Sequence, residues 1–484
     1  VNVNPLAPSW LAQPADANAI APQLWSQNSV RDASGELQIA GVGATAIAEQ
    51  FGTPVFVVDE ADVRDRATTA HDSFAREFAR VGSAAKVYYA GKAFLSTEVA
   101  RWVTDAGLNI DVCSGGELAV VLAAGVDPAR LGFHGNNKSL AEIDRAVATG
   151  VGVMVIDSLV EIDRIADAAE RHGVRQAVRL RVNSGVHAHT HEYLATARED
   201  QKFGIALADS ADAVAIIRAR PSLEFLGLHS HIGSQIFESD GFAEAASRLL
   251  ELHARLLVDG PVPELNLGGG FGIAYTSVDT ALPIEEIAAR LADIVAAECA
   301  RLDIPVPIVA VEPGRAIVGP STSTLYTVGT IKDVLVDGTA VRKYVSVDGG
   351  MSDNVRPALY AADYSVRIAG RSSDADAALV RIAGKHCESG DIVVHADYLP
   401  GDVRPGDLLA VPATGAYCWS LASNYNYLGR PPVVAVIGGV ARVIVRGETE
   451  ADLLSRDAGI QPGQATSPKH ASPTHASTME EGTS

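Results

Sequence analysis

The sequence predicts an α/β protein: a (β/α)8 TIM-like barrel followed by a second, mainly β-sheet domain. Three observations carry this. Eight short apolar runs recur, at 87–90, 109–112, 131–134, 152–156, 177–182, 225–229, 264–267 and 308–311. Between most of them lie Ala-, Arg- and Glu-rich segments with helical spacing, such as 96–106, 116–124, 140–148 and 159–172. Beyond Pro320 the helical spacing fades while strand-like runs continue, separated by Gly, Pro and Asp turns. One strand and one helix every twenty-odd residues, eight times over roughly 250 residues, is the rhythm that closes a barrel.

Taken in order, residues 1–30 are rich in Ala, Pro, Gln and Asn without clean periodicity and form an irregular amino-terminal arm. Residues 31–59 hold strand-like runs at 36–39 and 54–59 with a short helix at 44–51 between them, expected to join the β domain. The barrel occupies 60–320, interrupted after its fifth strand by an insertion at 183–204 rich in His, Thr and Glu. The β domain takes 321–458, with runs at 322–328, 343–347, 378–382, 391–395, 408–411, 433–436 and 440–445. The tail 459–484, rich in Pro, Ser, Thr and His, has little to bury and is expected to be disordered.

Composition narrows the function. A chain of 484 residues with 47% hydrophobic and 20% charged content suits a globular protein of two domains. A net charge of −20 with no basic stripe excludes nucleic acid and anionic membrane as partners. No apolar run reaches the length of a membrane span, and the first 25 residues lack the layout of a signal peptide. Cys113, Cys299, Cys387 and Cys418 are scattered without C-x-x-C spacing, which fits a cytoplasmic protein without structural zinc.

In such a barrel the reactive groups sit at the carboxyl ends of the strands. Here those ends read Gly91-Lys92, Asp111-Val112-Cys113-Ser114, His134-Gly135-Asn136, Asp157-Ser158, Asn183-Ser184, His229-Ser230-His231, Gly268-Gly269-Gly270 and Glu312-Pro313-Gly314-Arg315. Polar, reactive or glycine residues follow every strand. Lys92 lies beside Tyr88, Tyr89 and Phe94, where desolvation favours the neutral amine that forms a Schiff base. A lysine snorkelling into water is the bland alternative. The run Gly268-Gly269-Gly270-Phe271-Gly272 lets backbone amides approach a phosphate, although glycine runs also make plain turns. His231 and Ser234, in His-Ile-Gly-Ser-Gln, offer a ring to stack and a hydroxyl, or a core histidine. Glu312 at a strand end can hold a pyridine nitrogen protonated, or simply pair with Arg315. Cys387 stands in the polar loop Gly384-Lys385-His386-Cys387-Glu388-Ser389-Gly390, where a free thiol is either reactive or incidental. Arg356 and Tyr360 near a turn suit a carboxylate, or a solvated loop. Together these parts match a bound pyridoxal 5′-phosphate.

The chain resembles the diaminopimelate decarboxylases, within the fold-type III pyridoxal-phosphate enzymes shared with ornithine decarboxylase and alanine racemase. The likeness runs from about Thr53 to Arg446 and rests on Tyr89-Ala90-Gly91-Lys92-Ala93, the His229–Gln235 run, the triple glycine, Glu312-Pro313-Gly314-Arg315, Cys387-Glu388-Ser389 and Gly415-Ala416-Tyr417. The His187–His191 insertion followed by Gln201-Lys202-Phe203-Gly204 looks like the actinobacterial branch. The resemblance implies decarboxylation of meso-diaminopimelate to L-lysine, the last step of lysine biosynthesis. Lys92 would hold pyridoxal phosphate as a Schiff base, and His231 would stack on its ring. Glu312 would face the pyridine nitrogen, with Asp111 also in the cofactor site. Ser234, Gly268, Gly269, Gly270, Gly314, Arg315 and Tyr417 would surround the phosphate and nearby atoms. Cys387, from the other subunit of a homodimer, would donate the proton. Arg315, Arg356, Tyr360 and Tyr417 would meet the distal carboxylate region of the substrate, and Glu388 its ammonium. No metal is expected.

Three other readings remain at this point. A different decarboxylase or a racemase could share the fold. A metal-dependent hydrolase is suggested by His187, His189 and His191 with His229 and His231. A homologue without activity is opposed by the intact Lys92 and Cys387.

Overall fold

A computed structural model describes residues 4–186, 202–231, 233–237, 240–336, 338 and 340–460. The His187–His191 cluster, Gln201 and nearly all of the tail lie outside the described residues.

Eight strands make the barrel: β1 Ala85–Ala90, β2 Asn109–Val112, β3 Leu131–Phe133, β4 Val153–Ile156, β5 Gln176–Asn183, β6 Leu223–His229, β7 Glu264–Asn266 and β8 Ile308–Val311. Each pairs in parallel with the next, and Val309 opposite Ala85 returns β8 to β1, so no edge remains. Strands covered on both faces read as continuous apolar runs, and β4 is buried at all four positions.

The helices start where the sequence supplies oxygen caps. Asp59 caps α1 (Glu60–Arg80), Ser96 caps α2 (Thr97–Asp105) and Ser114 caps α3 (Gly115–Ala123), each accepting a backbone N–H in the first turn. Ser139 and Glu142 form a reciprocal box at α4 (Leu140–Thr149), which ends at left-handed Gly150. Ser96, Ser114 and Ser139 close the loops that lead from barrel strands β1, β2 and β3 into their helices. Among the described residues, no helix is long and apolar enough to cross a membrane.

Beyond the short turn Arg315–Val318, the chain enters the β domain through β9 (Thr322–Val336). Its further strands are β10 Ala340–Val347, β11 Arg367–Ile368, β12 Ala377–Ala383, β13 Ile392–Pro400, β14 Leu408–Val411, β15 Val433–Ile437 and β16 Val440–Val445. The early strand Val55–Asp59 lies inside this sheet, antiparallel to β9 and parallel to β15. The other early strands do not enter it. Ser29–Arg31, Leu37–Ile39 and Val42–Gly43 pair with one another, because tight turns make them their own nearest partners. Strand β9 runs well past 328, since its polar second half forms a hairpin with β10 that apolar content alone does not reveal. The arm has no helix or strand before Ser29 among its described residues, yet Leu24 and Trp25 are buried with Leu37, Val55 and Leu325.

Candidate active site

Strand β1 delivers Lys92. The chain turns sharply at Gly91–Ala93, where a Cβ on Gly91 would come within 2.8 Å of the Asp111 carbonyl oxygen. The second domain holds this turn, with Tyr417 N and Ser420 Oγ both donating to Ala93 O at 2.9 and 3.0 Å. The aromatic neighbours do not bury the lysine. Tyr89 donates to Phe94 O at 2.5 Å and Tyr88 faces Arg179 inside the barrel, leaving Lys92 exposed. The desolvation expected from the sequence is therefore absent in this chain.

The floor of the site is a buried cluster. Glu312 accepts from Asn266 Nδ2 at 2.8 Å, and its Oε1 lies 2.9 Å from His229 Nε2 and 3.7 Å from His134 Nε2. Its neighbours are these histidines rather than Arg315. Burial alone would raise the Glu312 carboxyl, but His229 and His134 outweigh it and hold it well below the usual carboxylate range. Burial pushes both histidines down to about 4, so they are neutral near pH 7. Asp111 goes the other way: burial, reinforced by the charge of Glu312, raises it well above the ordinary value. His231 is pushed well below the usual histidine range by burial and then by the Lys92 charge. One floor thus holds a carboxyl pushed down, a carboxyl pushed up and neutral imidazoles.

The wall is built by close backbone contact. Gly268 and Gly270 take φ of 72° and 107°, and a Cβ on Gly269 would lie 2.1 Å from Glu312 O. Gly269 N points at His231 Nδ1, 3.3 Å away. Arg315 donates Nη2 to Ser234 Oγ at 2.9 Å and Nη1 to Tyr275 OH, and its guanidinium lies 4.6 Å from the ring centre of Tyr417. Gly314 packs so tightly on Ala90 and Ala93 that its backbone faces the Lys92 turn. Lys92, Asp111, His231, Ser234, Gly268, Gly269, Gly270, Glu312, Gly314, Arg315 and Tyr417 therefore share one region.

Arg356 joins this group from the β domain. Buried, it lies 4.5 Å from the ring centre of Tyr275 and donates to Tyr364 OH, so the two arginines flank one tyrosine. Tyr360 points away and is 58% exposed; Tyr364 is the phenol that Arg356 engages. Cys387 and Glu388 are exposed, and among the described residues no contact joins them to Lys92 or Glu312. The sequence reading missed His134, His229, Asn266, Tyr275 and Tyr364 as contributors. His134 and His229 stood at strand ends, and that position was the signal. Asn266 was visible only as the residue two before Gly268, whose N–H it accepts at 2.8 Å.

The residues present fit pyridoxal phosphate. His134 Nε2 faces Asp111 Oδ1 at 3.1 Å, while Asp111 Oδ2 and His229 Nδ1 are buried without a hydrogen-bond partner, which marks a floor with room for a polar ring. His134, His229 and Glu312 bring three ligand-type atoms within 4.8 Å of one another, but they lie on that same floor.

A lysine above a buried acid floor, with a glycine wall at a barrel mouth, defines the class. Residues 61–319 match the pyridoxal binding domain of the pyridoxal-dependent decarboxylases. Over 444 residues the chain is 52% identical to diaminopimelate decarboxylase of Mycobacterium tuberculosis, covering 90% of this chain and 98% of that protein. The Mycobacterium leprae enzyme of the same name is 52% identical over 452 residues, 92% of this chain and 94% of that one. A crystal structure of the M. jannaschii diaminopimelate decarboxylase in co-complex with L-lysine superposes with a TM-score of 0.82 at 30% identity, covering 91% and 99% of the two chains. The chain belongs to the diaminopimelate decarboxylase family.

Proposed function

We propose that this enzyme removes one carboxylate of meso-diaminopimelate as carbon dioxide and releases L-lysine, with pyridoxal 5′-phosphate attached at Lys92. The observation that carries the reading is the pairing of an ionised, buried Glu312 with two arginines that meet at Tyr275. When bound, the cofactor supplies an electron sink for the pair left behind by the departing carboxylate. The chain supplies the rest. Glu312 would face the ring nitrogen and favour a proton there. His231, whose ring is held neutral by burial, would stack on the ring. The amides of Gly269 and Gly270, with Ser234, the backbone of Gly314 and Tyr417, would surround the phosphate. Gly268 and Arg315 would shape the same wall, with Asp111 on the floor beside them.

Substrate choice follows from charge. The distal end of the substrate is an amino acid, and a buried guanidinium pair matches its carboxylate. A diamine-forming decarboxylase has no use for that pair. Arg315 and Arg356 serve the carboxylate with Tyr360 and Tyr417 alongside, and Glu388 serves the ammonium. Cys387 returns the proton to the carbon that lost carbon dioxide. Because Cys387, Glu388 and Tyr360 are exposed, we infer that they complete the site of a second copy in a homodimer. Four free thiols suit the reducing cytoplasm.

Assay of purified enzyme with pyridoxal phosphate should give lysine and carbon dioxide in equal amounts from meso-diaminopimelate, and none from ornithine. Release of carbon dioxide from ornithine alone, or racemisation without it, would overturn the reading. Mixing inactive Lys92→Ala and Cys387→Ala chains tests the shared site. Random exchange leaves one intact site in each hybrid, so about a quarter of wild-type activity should return. No recovery after demonstrated exchange would put both residues in one chain's site.

A further inference from the structure

The loop that carries Cys387 is held by Lys385 N donating to Gly349 O at 3.0 Å and His386 N to Asp391 Oδ2 at 2.8 Å, and by one imidazole and one side-chain amide. His386, buried beside the exposed thiol residue, stacks on Tyr425 at a centroid distance of 5.2 Å. Its Nε2 lies 3.3 Å from Ser352 N and 2.9 Å from Ser352 Oγ. A backbone N–H can only donate, so Nε2 is the acceptor and neutral His386 carries its hydrogen on Nδ1. That hydrogen points at Asn426 Oδ1, 3.2 Å away. The same oxygen accepts from Cys387 N at 3.3 Å.

A second observation makes this an arrangement held against cost. Asn426 and Tyr427 take φ of 51° and 57°, two consecutive left-handed residues of which neither is glycine. Such backbone persists only where the surroundings over-determine it, and it gathers at functional sites. Here the anchors are Asn424 Nδ2 to Leu428 O at 3.1 Å and Tyr427 N to Asn424 O at 2.8 Å. The strained turn sets the carbonyl oxygen of Asn426 where it meets both partners at once. Ser352, at the far end of the imidazole, lies four residues before Arg356, so the proposed donor loop is held by the segment that leads into the substrate arginine.

We propose that Asn426 is a positioning residue for Cys387, acting through its side-chain oxygen on the Cys387 backbone and on the His386 ring. This deepens the proposed function and rests on Cys387 as proton donor. Loss of the oxygen frees the thiol to move by about an ångström, which costs roughly 10²-fold in a positioned step.

Three variants of the full enzyme test it, with kcat, KM, thermal midpoint and the rate of Cys387 alkylation recorded for each. Asn426→Gly removes the oxygen while relieving the left-handed strain, so it should fold at least as stably and lose kcat by at least about tenfold with KM nearly unchanged and altered alkylation. Asn426→Asp keeps an acceptor in place and should retain most of kcat. Cys387→Ala should abolish turnover. Wild-type kcat in Asn426→Gly, beside an inactive Cys387→Ala, would overturn the inference alone. Parallel loss of kcat, KM and stability in both Asn426 variants would also overturn it, by making the role structural. An active Cys387→Ala would instead remove the reading on which the inference rests.

Discussion

The two ends of the barrel treat buried charge in opposite ways. At the amino-terminal end, fully buried Arg179 donates Nε and Nη2 to Glu264 Oε2 at 3.0 and 2.6 Å and also reaches Tyr88 OH at 3.1 Å. Lys86 pairs with the other Glu264 oxygen. Burial would raise the Glu264 carboxyl, but Arg179 and Lys86 outweigh it and hold it below its ordinary value. Of that set only Arg179 Nη1 lacks a partner. At the carboxyl-terminal end, Asp111, His134 and His229 are also buried; His134 Nε2 faces Asp111 Oδ1 and His229 Nε2 faces Glu312 Oε1, but Asp111 Oδ2 and His229 Nδ1 keep no partner. Paired charge in the lower layer holds the barrel together. Unpaired polar atoms in the upper layer are a preformed receptor whose partners arrive with the ligand.

Breaking each end should therefore fail in a different currency. The largest effect belongs to the upper end: Glu312→Gln keeps the shape, removes the charge, and should lower kcat by about 10²–10³-fold with the fold intact, read by steady-state assay and circular dichroism. Next comes Glu264→Gln at the lower end. It leaves Arg179 buried without its counter-charge and should cost about 3–5 kcal/mol of stability, read by denaturant unfolding, while kcat per folded site stays unchanged. A large loss of kcat per folded site there would erase the contrast.

Acid should find the upper end first. His134 and His229 sit at about 4 in the folded protein, against an unfolded value near 6.5. The unfolded chain takes up protons first, so their stability contribution is complete above that value, is lost as pH falls toward 4, and changes little below. The ceiling is about 3 kcal/mol for each histidine, visible as a falling thermal midpoint of cofactor-free protein. His134→Asn should flatten that slope. The smallest effect is a gain. Asp111 is raised, so its contribution is full below an unfolded value near 4 and lost as pH rises. Asp111→Asn should stabilise cofactor-free protein near neutrality, with the gain fading as pH falls toward about 4.

The same contrast explains what the sequence disclosed. All eight barrel strands were legible because burial on both faces makes each run mostly apolar, and the runs recur with helical segments between them. Lys92, Glu312 and the triple glycine were legible because strand ends in a barrel all face one mouth. Side-chain direction was not. Nothing in Arg356-Pro357-Ala358-Leu359-Tyr360 says that one helical turn carries Tyr360 outward while Tyr364, beyond it, returns to the arginine. Nor does Ser423-Asn424-Tyr425-Asn426-Tyr427 announce a left-handed turn, which depends on anchors such as Glu448, whose Oε2 accepts from Arg430 N at 2.9 Å. That the short amino-terminal strands form a sheet of their own was hidden for a related reason: strands of two or three residues carry too few side chains to reveal which sheet they join.

The central claim is that the unpaired floor seats a cofactor bonded to Lys92. The most direct measurement is borohydride reduction of the pyridoxal-phosphate-loaded enzyme, followed by peptide mass mapping and assay of the untreated sample for lysine formed from meso-diaminopimelate. The account predicts one phosphopyridoxyl group per chain, on Lys92, loss of activity on reduction, and neither label nor activity in Lys92→Ala. Label on another lysine, or lysine formation by unlabelled Lys92→Ala, would contradict it.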